Sequence, residues 1–387
     1  MYDKRFVFAQ LTSFLNRNKF NYIVSKYNGD SYVKSFSCWN QLLALMFGQL
    51  SQRKSLRDLS MALGAHREKA YNLGLGKNVT RSNLSKANSN RDYRIFEEYA
   101  YYMVKTAQSK RSIDAFRVGG KVFAFDSTTV DLCLSVYSWA KFRKTKGGIK
   151  IHTLYDLEAQ VPAFFHITTA SVHDMNAMDI IPYQANAFYI FDRGYNDFKR
   201  LFNINEIESF FVIRGKNNMN FRHIRWKRKL KRNILSDSIV KLEGFTSERK
   251  YPKAFRRIAY FDEEQRRTFI FLTNALGLDA QKIADLYKNR WQIELFFKWM
   301  KQHLNIQRFW GETENAVKIQ IYSAITAFCL VAIVQHDMKL DCTIYEILQI
   351  LSMSLTDTTN IRELLDKSNF NNFKELYDSS EPLLFNF

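Results

Sequence analysis

The stretch Tyr287-Lys-Asn-Arg290-Trp-Gln-Ile-Glu294-Leu-Phe-Phe-Lys298-Trp-Met-Lys301 sets a phenol, a guanidinium, a carboxylate and several ammonium groups among large aromatic rings. A carboxylate in such company can hold a hard divalent cation. Arg290 and Lys301 can grip phosphates, Tyr287 can hydrogen-bond a phosphate oxygen, and Lys298 can add a further contact. The stretch contains no Gly or Pro, its apolar residues recur at helical spacing, and Asp279 upstream can cap an early start, so one long α-helix is expected. At about 100° per residue, Tyr287, Glu294 and Lys301 fall nearly in line, with Arg290 about 60° away. A solvated stripe beside a core stripe would also account for the charges, so the rest of the chain must decide.

The order Tyr287, Arg290, Glu294, Lys301 resembles the Y-R-E-K signature of bacterial DDE transposases in the insertion-sequence-four group. In that family two aspartates lie upstream, each at the end of a hydrophobic strand. Here Val122-Phe-Ala-Phe-Asp126-Ser-Thr and Phe188-Tyr-Ile-Phe-Asp192-Arg-Gly-Tyr offer both. The resemblance runs strongly from about Lys121 to Gly311 and weakly through the N-terminal region. It implies an α/β, ribonuclease H-like catalytic core with a mainly β insertion that supports a DNA hairpin intermediate. It also implies an N-terminal domain that recognises the element's ends, and a homodimer on DNA.

Cutting a phosphodiester asks the protein chiefly to position an attacking oxygen and to stabilise a leaving one. Two Mg²⁺ ions, or Mn²⁺ in their place, serve both oxygens and are held by a few carboxylates. Asp126, Asp192 and Glu294 are therefore the expected catalytic residues and metal ligands. An Asp at a strand end also commonly begins a turn. Two on matching Phe-Asp ends, followed by a carboxylate on a basic, aromatic helix, are hard to explain that way. Like charges crowded together are costly without a cation, so the metal belongs to the reading. Asp131, Asp156, Asp174 and Asp179 are assigned structural or surface roles. His173 and His152 are expected in the core or at phosphate, with His152 a candidate to support a metal-ligating side chain.

The elements that position these groups follow from pattern and composition. The chain has 387 residues and a formal net charge of +19. That excess points to a polyanionic partner, nucleic acid before membrane. Cys38, Cys133, Cys329 and Cys342 form no C-x-x-C pair and are expected as reduced core residues of a cytoplasmic, nucleoid-associated protein. The apolar run from Ile319 to Val334 is short of a membrane span and reads as a buried helix covering the sheet.

Residues 1–118 read as an all-α, DNA-binding domain with helices over Phe6–Phe20, Trp39–Leu50, Leu56–Leu63 and Asp92–Gln108. Between Gly64 and Asn90 a short helix, a glycine-bearing turn and a polar helix would suit a helix-turn-helix, with Arg81, Asn83 and Lys86 facing a groove. Gly119-Gly120 marks a boundary. Residues 119–215 carry strands at Lys121–Phe125, Val130–Val136, Gly147–Tyr155, Gln160–Ala170, Ala187–Phe191 and Phe210–Arg214, with helices at Asp174–Tyr183 and Asn196–Ile207. The 102 residues separating Asp192 from Glu294 imply an inserted subdomain at 216–274. Its basic run includes Arg222, Arg225, Lys229 and Arg232 around Trp226. Arg225 and Lys229 are expected on phosphates and Trp226 on a displaced base, although such a run can equally be a solvated face. Residues 275–318 complete the core, and 319–387 form a C-terminal helical region with an acidic tail suited to pairing protomers.

The expected function is cut-and-paste transposition on double-stranded DNA, acting on terminal inverted repeats and target DNA. Two other readings stand beside it: a metal-dependent nuclease or resolvase of the same fold without strand transfer, and a transposase-derived DNA-binding protein without catalysis.

Overall fold

The computed structural model describes residues 5–366 apart from 67–68, 77–78, 112–113, 144–145, 217–218, 229, 304–305 and 307. The acidic C-terminal tail therefore lies outside the described residues. The chain divides into a helical unit, residues 1–110 and 299–387, and a sheet unit, residues 111–298.

The helical unit opens with α1 (Val7–Thr12), α2 (Arg17–Lys26), α3 (Cys38–Leu50), α4 (Leu56–Ala65), α5 (Arg81–Asn90) and α6 (Arg94–Arg111). The single helix expected over Phe6–Phe20 is two. The Asn16 side chain accepts from the Lys19 amide at 3.0 Å and starts α2 afresh. Ser37, Ser55 and Thr80 cap α3, α4 and α5 in the same way. Of the helix-turn-helix expected between Gly64 and Asn90, the polar helix is α5, started by Thr80, while the short helix before the turn is not among the described α-helices. Among the described residues no α-helix lies between α4, which ends at Ala65, and α5, which starts at Arg81, whereas that motif turns in about three or four residues.

In the sheet unit come β1 (Val122–Leu132), β2 (Lys141–Arg143), β3 (Lys146–Asp156), β4 (Val161–Thr169), β5 (Phe188–Phe191), β6 (Phe210–Arg214), β7 (Phe221–Trp226), β8 (Ile234–Leu242), β9 (Phe255–Asp262) and β10 (Arg267–Thr273). They build one sheet in the order β2-β3-β1-β5-β6-β10-β9-β8-β7, with β4 paired to β3. Among the described residues only β1–β5 and β5–β6 are parallel. These central segments, Val122–Phe125 and Phe188–Phe191, are buried without interruption, as strands covered on both faces must be. Gly120 lies where β1 enters the sheet. A Cβ there would meet the Asn186 carbonyl oxygen at 1.8 Å, so no larger residue fits.

Three expectations change in this unit. The segments predicted at Lys121–Phe125 and Val130–Val136 are one strand, so Asp126 sits within β1 rather than at its end. The antiparallel partner β3 runs alongside from Phe123 to Leu132 and keeps the strand going after β5 has stopped. The predicted inserted subdomain is continuous with the sheet, because β10 pairs with β6 and β9, β8 and β7 follow outward. The helix expected over Asp174–Tyr183 is a shorter 3₁₀-helix, Asp174–Ile180.

Helices α7 (Phe198–Glu206), α8 (Phe245–Lys250), α9 (Ala280–Lys288) and α10 (Trp291–His303) complete the unit, which ends at Lys298 within α10. One core gathers Phe123, Phe125, Tyr189, Phe191, Leu201, Ile204, Phe211 and Ile213, joining the α7 face to the central strands.

The chain returns to the helical unit through α11 (Glu314–Asp337), α12 (Ile344–Ser354) and α13 (Ile361–Leu364). Helix α11 is long and apolar enough to cross a membrane, yet 94% of its most apolar window is buried inside the protein. Within the helical unit it packs on α1, α3, α5 and α12. Cys38, Cys329 and Cys342 are buried, but Cys133, expected in the core, is exposed just beyond β1.

Candidate active site

Parallel pairing of β1 with β5 ends at Phe125 opposite Phe191. The next residue on each strand is an aspartate, so two carboxylates leave neighbouring strands at the same level. Asp126 is held by the Ser127 amide at 2.8 Å and by the Tyr195 hydroxyl at 3.4 Å, both reaching its Oδ1. Its Oδ2 lies 3.2 Å from the Arg290 guanidinium. Burial pushes the Asp126 carboxyl up to about 6. The Ser127 amide and Arg290 oppose that rise, while the charges of Glu294 and Asp192 add to it. Asp192 accepts a 3.2 Å hydrogen bond from the Tyr287 hydroxyl.

The long helix expected to carry the third carboxylate is broken. Helix α9 stops at Lys288 and α10 starts at Trp291, so Tyr287 and Glu294 belong to different helices and the straight-line spacing does not apply. Asn289 makes the break. Its side chain donates to the Asp285 carbonyl at 2.8 Å and accepts from Gln292 at 3.0 Å, competing with the helical ladder. Three-residue hydrogen bonds from Arg290 to Tyr287, Gln292 to Asn289 and Ile293 to Arg290 tighten the turn.

The break turns Arg290 and Tyr287 toward the carboxylates. Arg290 binds Asp126 with one terminal nitrogen and Glu294, at 2.5 Å, with the other. Burial works against its charge, and Tyr287, Glu294 and Asp126 outweigh that and raise its pKa. Its Nε is buried with no partner among the described residues. Tyr287 packs on Phe271 with ring centroids 4.8 Å apart. Burial pushes its hydroxyl up to about 12, with Arg290 opposing and Asp192 reinforcing, so it remains a donor. Both residues were expected on phosphates. In the structure both hydrogen-bond to carboxylates, because the turn at Asn289 aims them inward.

Glu294 is more than half exposed on the first turn of α10, and Lys298 follows one turn later, also exposed. Lys301 lies beyond the unit boundary on the same helix and is half-buried. Trp226 is exposed on the outermost strand β7 and already stacks on His223, with ring centroids 4.3 Å apart. Arg225 is exposed beside it, and Lys229 lies outside the described residues. Arg81 and Lys86 are exposed on α5, and Asn83 is half-buried.

Sequence reasoning gave Tyr195 no role, although the Asp192-Arg-Gly-Tyr195 run was in view. A 3₁₀ turn closing from the Tyr195 amide to the Asp192 carbonyl at 3.0 Å brings it back to Asp126. Asp174, assigned a structural or surface role, accepts from Ser127 at 2.7 Å and lies 3.1 Å from Lys150. His152 is fully buried beside it, with Nε2 3.0 Å from the Thr168 hydroxyl, and burial pushes its pKa down to about 4. A neutral His152 thus supports the strand next to Asp126. His173 caps the 3₁₀-helix that starts at Asp174. Asp131 alternates outward on β1 and is exposed.

Three carboxylates and one guanidinium leave this pocket with an excess of negative charge. Among the described residues no three acidic, His or Cys side chains converge closely enough to hold one ion, since Arg290 bridges Asp126 and Glu294. The donor chemistry, all oxygen, fits a hard divalent cation. The elevated Asp126 pKa reflects burial first and the neighbouring carboxylates second.

The family described as "Transposase DDE domain" matches residues 118–330, and "Domain of unknown function (DUF4372)" matches residues 4–76. A protein of Sinorhizobium fredii named as a putative transposase is 37% identical over 213 residues, covering 54% of this chain and 59% of that protein. A probable transposase for an insertion sequence element of Geobacillus stearothermophilus is 32% identical over 227 residues, covering 58% of each chain. The chain thus spans less than two thirds of the length of these relatives. The cryo-EM structure of a piggyBac transposase synaptic complex with hairpin DNA aligns with a TM-score of 0.48 at 12% identity, covering 100% of this chain and 87% of that one.

Proposed function

The chain belongs to the transposase DDE domain family, and from that premise we propose that it is a cut-and-paste DNA transposase of a bacterial insertion sequence, of the insertion-sequence-four group. The observation that supports this best is the pairing of Asp126 and Asp192 on adjacent parallel strands, linked through Arg290 and Tyr287 to the segment bearing Glu294. In this reading the core is ribonuclease H-like, and the chain works as a homodimer on double-stranded DNA in the cytoplasm. It cuts one strand at the terminal inverted repeats, uses the freed 3′-hydroxyl to cut the other through a hairpin, and joins the end to target DNA.

Asp126, Asp192 and Glu294 would hold two Mg²⁺ ions, which Mn²⁺ could replace. Bound there, the ions would supply an activated attacking oxygen and stabilise the leaving one. The protein's own groups prepare the site. Tyr195 and the Ser127 amide orient Asp126, and Tyr287 orients Asp192. Arg290 balances carboxylate charge before DNA arrives, through its bonds to Asp126 and Glu294. Lys298 and Lys301 follow along α10 for the flanking backbone.

Tyr287→Phe removes a donor from a carboxylate while keeping the ring that packs on Phe271. A bond of that kind contributes about 1.5–3 kcal/mol, so cleavage should fall roughly tenfold or more with DNA affinity retained. Cleavage at the wild-type rate would show that Asp192 needs no such support. The exposed basic strand β7 predicts a different signature. Arg222→Ala with Arg225→Ala should reduce the slope of log affinity against log salt by about 1.8. An unchanged slope would place phosphate elsewhere.

The deciding experiment incubates the chain with labelled DNA carrying the native element ends, with and without Mg²⁺, and resolves nicks, hairpins and joined products. Joined product supports transposition, nicks alone indicate a nuclease, and binding without any cut leaves only the non-catalytic reading.

A further inference from the structure

The helical unit carries a concavity of about 690 Å³, lined by the loop Tyr27–Phe36 on one side and by Asn83, Lys86 and Asn90 of α5 on the other. The base of the loop is firmly held. Asp30 accepts from the Cys38 amide at 2.7 Å and lies 3.7 Å from Arg91, which also donates to the Phe36 carbonyl. Gly29 packs so closely that a Cβ would meet Ile95 Cδ1 at 2.4 Å and Cys38 Sγ at 2.9 Å. At the tip the opposite holds. The Tyr32 side chain is fully exposed, at 103% of its reference area, and Val33 beside it is 36% exposed.

Tyr32 also adopts a φ of 61°, a left-handed conformation that a bulky residue rarely takes without strain. The bonds from Ser31 to Asn28 at 3.1 Å and from Val33 to Asp30 at 3.1 Å keep it there. A rigid base thus presents an aromatic ring to solvent. Lys34 and Lys86 line the same concavity, and among the described residues neither lies within ion-pair distance of an acid. The concavity is also lined by Arg91, which pairs with Asp30, and by Asp92, which pairs with Arg94, so two ammonium groups without acidic partners share it with a projecting ring and suit a polyanion with stackable faces.

We propose that this loop and α5 together clamp duplex DNA, with Tyr32 pressed against a base step and Lys34 and Lys86 on the phosphates to either side. The proposal rests on the DNA reading above and adds a contact surface that the position of α5 alone does not supply. Apolar and aromatic side chains at such steps add affinity with little sequence preference, while the lysines act through counterion release.

Tyr32→Gly is the discriminating variant, because glycine takes the same φ without strain and the fold is kept. An unchanged melting temperature verifies that. With the full chain and a labelled duplex bearing the element ends, Tyr32→Gly should weaken binding roughly 5- to 150-fold without changing the salt slope. Lys34→Ala with Lys86→Ala should lower that slope by about 1.8. If the wild-type chain binds the duplex and Tyr32→Gly binds within about twofold of it, the clamp is wrong and the DNA reading survives. If the wild-type chain binds no duplex, both fall.

Discussion

Asp126→Asn and Asp192→Asn should each cut the rate of DNA cleavage by on the order of a thousandfold or more while leaving affinity for the element ends nearly intact. Each replacement keeps the size of the side chain, turns one accepting oxygen into an NH₂ donor and removes the negative charge. Asp126→Asn carries a second expectation, opposite in sign. Burial raises the Asp126 pKa from 3.8 to about 6, so the folded chain binds this proton more tightly than the unfolded chain does.

Stability from this group is therefore full below the unfolded pKa and is lost as pH rises through about 6. Asparagine removes the loss. In chelator at pH 8, Asp126→Asn should be more stable than wild type by up to about 3 kcal/mol, and at pH 4 the two should coincide. Urea melts at both pH values, run beside the cleavage assay, check the pair. A variant that cleaves at full rate is not in the site, and equal stability at both pH values would show that the carboxylate is not in a desolvated environment.

Arg256→Met should destabilise the chain by about 3–5 kcal/mol, because it removes both close bonds from a buried carboxylate and leaves it only the longer 3.8 Å approach of the Lys227 ammonium among the described residues. Arg256 and Asp237 are 1% and 3% exposed and meet through two parallel bonds of 2.7 and 2.6 Å. Arg256 also donates to the Leu278 carbonyl, immediately before Asp279, which caps α9. The same guanidinium therefore fixes the start of the helix that carries Tyr287. The paired variant Arg256→Met with Asp237→Leu should recover most of the stability, since a buried ion pair replaced by apolar side chains is often neutral.

Cleavage should stay low in that pair if the Leu278 anchor positions Tyr287. Chemical denaturation and the cleavage assay on all three proteins separate the two effects. A single variant as stable as wild type would mean that water reaches Asp237. A paired variant with full cleavage would remove Arg256 from any part in positioning.

The central strands were legible because they are buried on both faces. Phe123-Ala-Phe125 and Tyr189-Ile-Phe191 read as unbroken apolar runs, and the aspartate after each run is the first residue past the parallel pairing. Helix caps such as Ser37, Ser55 and Thr80 were likewise visible as local chemistry. The length of β1 was not, because its continuation past Asp126 depends on β3, whose register is a long-range property. The basic segment from Phe221 to Trp226 read as part of a separate insertion, and only pairing through β8, β9 and β10 shows it to be the far edge of the common sheet.

From the residues alone came the choice of Asp126, Asp192 and Glu294 as candidates, the strand runs before two of them and the basic excess, all properties of type and local order. The tertiary structure decided what those residues face. Asn289 interrupts a stretch whose periodicity is helical throughout, and the turn it makes aims Tyr287 and Arg290 at Asp192, Asp126 and Glu294. Periodicity counts angles along one helix and cannot register a side chain that competes for the backbone. Nor can it see Tyr195, Asp174 or His152, which reach the site through pairings between segments far apart in the chain.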